Sequence, residues 1–128
     1  MTYNYKRTQK PNGNNLKNKG LTMSDTQTEI KNLVTQNKVV VFMKGTPEAP
    51  QCGFSAQAIR CLTAVGAPIV SVDIFSAPGM RDGVKQFTNW PTIPQVFING
   101  EFVGGCDIVT ELFQRGELKQ MVETALKN

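Results

Sequence analysis

Apolar residues along the chain fall into short runs of two kinds. Val39-Val40-Val41-Phe42-Met43 is unbroken and rich in β-branched residues, the mark of a strand buried on both faces. Residues 69–74, Ile-Val-Ser-Val-Asp-Ile, read as a second strand. Between them Phe54, Ala58, Ile59 and Leu62 recur at helical spacing. This predicts a helix over about 53–64 with those four side chains inward, ended by Gly66 and Pro68. Upstream, Thr26-x-x-Glu29 has the form of a capping box. Ile30, Leu33 and Val34 then share one helical face, and Asn37 closes the helix. Pro78 opens a further helix to about Phe87, with charges on one side. Gln95–Ile98, the pair Asn99-Gly100 and Glu101–Gly104 give a strong hairpin signal. Cys106–Phe113 and Glu117–Leu126 read as closing helices, broken at Gly116. Residues 44–51, with two prolines, read as a loop.

Strands 39–43 and 69–74 are joined through a helix, so they are expected to be parallel with a right-handed crossover. The final hairpin is antiparallel. The expected fold class is α/β: a mixed four-stranded sheet flanked by helices. No stretch approaches the roughly 20 apolar residues of a membrane helix, so no membrane partner is expected.

Charge changes the picture at one end only. The chain has 128 residues and a formal net charge of +4. Five of its 14 basic residues, and none of its 10 acids, lie in residues 1–22. The remainder carries nine basic residues against ten acids, a balance of −1. A basic patch for nucleic acid is therefore absent from the body. Residues 1–23 are polar and rich in Asn and Lys, and read as a disordered basic extension. The domain is expected over 24–128, with Met23 as its natural beginning. No apolar segment follows the early charges, against a signal peptide. A transit peptide is also basic and acid-poor, but it is amphipathic and Ser-rich, which this stretch is not; an over-extended start fits better. The expected location is cytoplasmic, or the mitochondrial matrix if residues 1–22 act as a transit peptide.

The chemistry rests on sulfur. The chain has no histidine, which excludes His-ligated metal sites and His general bases. Its three cysteines, Cys52, Cys61 and Cys106, form no disulfide framework and fit a reducing compartment. Cys52 opens the helix after the first strand, where free N–H groups and the helix dipole favour a thiolate. Lys44, at the end of that strand, could add positive potential. Ser55 stands where a Cys-x-x-Cys motif would carry its second sulfur. Cys61, nine residues on, points to the far side of the helix and reads as packing. Cys106 follows Gly104-Gly105 and has Asp107 beside it. It is either a resolving cysteine or part of the cleft wall. Pro94 must sit at the start of its strand, because it cannot donate to the ladder. A cis Ile93-Pro94 bond would offer the Ile93 backbone to a ligand, although most X–Pro bonds are trans.

Two stretches, KGTPEAPQCGFS and WPTIPQVFINGEFVGGCDI, resemble the CGFS-type monothiol glutaredoxins. The resemblance covers nearly all of residues 24–126. It implies a thioredoxin fold, a cis Pro94 and a groove for glutathione. By matching positions, Lys44 and Arg81 would pair with the carboxylates of glutathione. Ile93 would pair main chain to main chain, Cys106 would offer its N–H, and Asp107 would face the ligand's ammonium. Each charge taken alone reads as solvated surface; one tripeptide with two carboxylates and an ammonium gives all three a partner.

The resemblance also implies a homodimer bridged by a [2Fe–2S] cluster. Such a cluster takes four thiolate-type ligands. Cys52 from each of two chains and two glutathiones would complete them. The implied role is delivery of clusters to acceptor proteins, often with BolA-like partners. A different reading makes Cys52 the nucleophile of a glutathione-dependent reductase, since thiol exchange needs only one attacking sulfur. The resemblance counts against high activity of that kind. A third reading is an interaction module using Phe54 and the Trp90-Pro91 edge.

Overall fold

A computed structural model describes residues 23–127 of the chain. In order, its elements are α1 (Met23–Gln36), β1 (Val39–Met43), β2 (Gly45–Thr46), β3 (Ala49–Pro50), α2 (Gly53–Ala64) and β4 (Ile69–Asp73). There follow α3 (Met80–Thr88), β5 (Gln95–Ile98), β6 (Glu101–Gly104), α4 (Cys106–Gln114) and α5 (Glu117–Lys127). The basic extension expected over 1–23 lies outside the described residues, apart from Met23.

Every residue of β1 is buried. Side chains alternate across a strand, and here both faces are covered. Val39, Val41 and Met43 enter one core with Ala58 and Leu62 of α2, Val109 of α4, and Leu118 and Val122 of α5. Val40 and Phe42 enter a second core with Ile30 and Val34 of α1, Met80 and Val84 of α3, and Phe97. The sheet thus separates α1 and α3 from α2, α4 and α5. Its strand order is β4-β1-β5-β6. β1 runs parallel to β4, with Val41 opposite Ser71, and antiparallel to β5, with Val41 opposite Val96. β5 and β6 form the expected hairpin, turned by Asn99 and Gly100 at φ 55° and 82°. Two successive positive φ values are what such a tight turn requires.

The structure departs from the sequence reading in three places. Thr26 does not cap α1; it lies inside the helix, which begins at Met23, and it is buried at 3% exposure. Residues 44–51 are not a plain loop, because β2 and β3 pair antiparallel with Gly45 opposite Pro50. Phe54 does not face inward: it is 63% exposed. The buried stripe of α2 is Ser55, Ala58, Ile59 and Leu62, one position out of phase with Phe54.

The burial of Thr26 has a partner in Gly83 of α3. A Cβ at Gly83 would lie 2.5 Å from Thr26 Cγ2 and 3.2 Å from Ile30 Cδ1, so the two helices touch only because Gly83 has none. Gly83→Ala is expected to destabilise the fold by about 1–2 kcal/mol, overpacking outweighing the helix propensity gained. Adding Thr26→Ser, which removes the offending methyl, should restore most of that loss. Urea unfolding of the two variants checks both statements.

Candidate functional site

Cys52 is the N-cap of α2, extended at φ −153° and ψ 137°. That geometry aims the first free N–H groups of the helix at the sulfur. The Ser55 backbone N–H is the strongest influence and holds the Cys52 thiol below its ordinary value. Partial burial opposes it, while the Phe54 N–H, the Lys44 ammonium and the Ser55 hydroxyl act with it. No side-chain hydrogen bond caps the helix at Cys52. A neutral thiol accepts weakly, so these donors count mainly once the sulfur is charged.

Ser55 has a part of its own. It is buried, and its Oγ accepts the Lys44 N–H at 3.2 Å. One hydroxyl thereby ties the end of β1 to the start of α2 and leaves its proton for Cys52. Asp73 anchors the same loop from below, with Oδ1 accepting from Gly45 N at 3.0 Å and Phe75 N at 2.9 Å.

Beside Cys52 lies a cleft of 420 Å³. Lys44, Arg81, Ile93, Cys106 and Asp107, all singled out from the sequence, line it together. Cys52 stands at the edge, in an adjoining groove of 550 Å³ that shares Phe54, Cys106 and Asp107 with the cleft. The Ile93-Pro94 bond is cis. The Ile93 side chain is buried in the core while the residue still lines the cleft. Gly105 also lines the cleft and packs against Pro94, where a Cβ would come 3.1 Å from Pro94 O. α4 starts there, so its first N–H groups and positive dipole end meet the cleft.

Sequence reasoning missed Lys85, a third cation of the cleft one helical turn beyond Arg81. The i, i+4 spacing on α3 was the available signal. Trp90 is half-buried, with its ring 5.7 Å from Phe102, so its main part is packing. The cleft therefore presents three cations, one carboxylate, a helix N-terminus and exposed main chain. Such a set suits a small anionic peptide carrying one ammonium.

Cys61 packs as expected, at 2% exposure, but it is not remote from Cys106. Its Sγ donates to Thr110 Oγ1 at 3.9 Å, and the same oxygen meets Cys106 Sγ at 3.9 Å. Burial pushes the Cys106 thiol up, and Asp107 and the neighbouring sulfurs add to this against the Thr110 hydrogen bond. Cys52 and Cys106 thus shift in opposite directions. Alkylation by iodoacetamide follows the thiolate, so its rate climbs with pH and levels off above each pKa. Cys52 is expected to level off at a lower pH than an ordinary thiol and Cys106 at a higher one. At neutral pH Cys52 should react first; mass-spectrometric mapping showing Cys106 ahead would refute this ordering. Among the described residues, no group of three His, Cys, Asp or Glu side chains could hold a metal ion.

The glutaredoxin family model matches residues 39–103. An uncharacterized monothiol glutaredoxin of Synechocystis sp. is 53% identical over 102 residues, covering 80% of this chain and 95% of that protein. Glutaredoxin 4 of Escherichia coli K12 is 48% identical over 106 residues, covering 82% and 92%. The solution structure of reduced poplar apo GrxS14 superposes with a TM-score of 0.72 at 45% identity, covering 82% of this chain and 96% of that one. The fold is that of the thioredoxin-like glutaredoxins, and the chain belongs to the glutaredoxin family, among its monothiol members.

Proposed function

We propose that this glutaredoxin carries a [2Fe–2S] cluster between two copies of itself, with glutathione completing the ligands, and passes it to acceptor proteins. The observation that carries the reading is the setting of Cys52. It is an accessible thiol with a lowered pKa, and it stands beside a cleft whose charges suit glutathione. Cys52 supplies one ligand per chain. Lys44, Arg81 and Lys85 would hold the carboxylates of glutathione, and Asp107 its ammonium. Ile93 would pair with its main chain. Glutathione's own sulfur would then lie at the mouth, as the second ligand from each half. Thiolates supplied by a small exchangeable molecule suit a cargo that must leave.

A second reading rests on the same acidity. The Cys52 thiolate could attack the glutathione sulfur of a mixed disulfide, release the protein thiol, and pass the glutathione to a second glutathione as the disulfide. We place this below cluster carriage, as at most a weak activity.

The test is anaerobic reconstitution with iron and sulfide while glutathione is titrated. No chromophore should form without glutathione. For Arg81→Ala, the glutathione concentration giving half-assembly should rise roughly five- to tenfold, the effect of losing one charge-assisted pairing at an exposed site. An unchanged requirement would reject Arg81 as a contact, and assembly without glutathione would reject the ligand set.

A further inference from the structure

Gln95, the first residue of β5, is a carboxamide with no exposed surface. Its Nε2 donates to the carbonyl oxygens of Trp90 at 2.9 Å and Thr92 at 3.2 Å. Its Oε1 accepts from Thr88 Oγ1 at 2.8 Å. Chemistry fixes this orientation, because two carbonyl oxygens can be met only by the NH₂ end. The Thr88 hydroxyl has one proton and two acceptors within reach, Gln95 Oε1 and Val84 O at 3.0 Å. Were the proton given to Val84, Gln95 Oε1 would face an oxygen lone pair, so the shorter contact takes it. Thr88 Oγ1 in turn accepts the Trp90 N–H at 3.2 Å. Both ends of the buried amide are thereby satisfied.

The network joins two walls of the cleft. Thr88 ends α3, the helix that presents Arg81 and Lys85. Trp90 and Thr92 belong to the segment leading into Ile93 and Pro94. We propose that Gln95 and Thr88 are positioning residues that hold the cationic helix and the Ile93 main chain at the separation one glutathione spans. They act through the walls and touch no ligand. The proposal rests on the glutathione reading above and deepens it.

The test uses S-methylglutathione, which cannot form a disulfide, titrated into the full chain and followed by amide NMR shifts. Gln95→Glu keeps the shape but brings at most one proton for two carbonyls. Thr88→Val keeps the shape and loses the hydroxyl, whereas Thr88→Ser keeps the hydroxyl. The first two variants are expected to bind about tenfold more weakly, a change of about 1.4 kcal/mol, with Thr88→Ser close to wild type. Their combination should cost little more than either alone, because they break one network. The pH midpoint for alkylation of Cys52 should not move. Folded Gln95→Glu binding as wild type would overturn the proposal, as would a lower Tm with unchanged affinity. If Gln95→Glu fails to fold, Thr88→Val against Thr88→Ser decides, and equal affinities there overturn it. Wild-type protein that does not bind the probe would instead overturn the glutathione reading itself.

Discussion

Cys52→Ser is expected to abolish both cluster assembly and any exchange of glutathione, with the fold intact. A serine hydroxyl stays neutral at every working pH, so the donors that stabilise a charged sulfur meet only a neutral acceptor and yield no anionic ligand or nucleophile. They are the Ser55 and Phe54 N–H groups and the Lys44 ammonium. No other thiol substitutes. Cys61 is buried, and Cys106 is shifted the opposite way by its burial. Serine is a preferred N-cap residue and Cys52 caps nothing with its side chain, so stability should hold or rise by up to about 1 kcal/mol. Visible absorption after reconstitution and mass spectrometry after incubation with glutathione disulfide read the two losses. A chromophore retained by the variant would remove Cys52 from the ligand set.

Phe97→Ala should be among the most damaging single changes to the fold, at about 3–5 kcal/mol. Domains of this kind hold about 5–15 kcal/mol in all, so the variant would sit near the edge of stability. Phe97 is buried among Phe42, Phe87 and Phe102, with ring centroids 5.7, 6.1 and 5.5 Å away. Phe102 in turn supports Trp90 at 5.7 Å, so the damage reaches the cleft wall. α2 packs on the opposite face of the sheet. The pH midpoint of Cys52 should therefore hold while glutathione affinity falls. Urea unfolding measures the first effect, and a loss under about 1 kcal/mol would contradict the packing argument.

Much of the fold was legible because its signals are local. The run 39–43 gave the central strand, Asn99-Gly100 the hairpin turn, and the two closing helices their bounds to within a residue or so. The thiol at the start of a helix was legible for the same reason. Phe54 was misjudged because its i, i+4 spacing from Ala58 fits the same helical face as Ile59 and Leu62. The helix instead buries Ser55, whose hydroxyl finds the Lys44 N–H 11 positions away. Contacts of that reach leave no local trace. Asp73 holding Gly45 across 28 residues is one such case, and the Gln95 network is another. That Lys44, Arg81 and Asp107 share one cleft came from family likeness rather than spacing. The cis state of Pro94 came from the same source, since composition alone argues for trans.

The most direct test of cluster carriage is native mass spectrometry on protein purified without oxygen. The account predicts a dimer holding two irons, two sulfides and two glutathiones, which falls apart to apo monomers when the cluster is chelated. A monomer free of iron under every reconstitution condition, yet able to strip glutathione from a mixed disulfide, would contradict it.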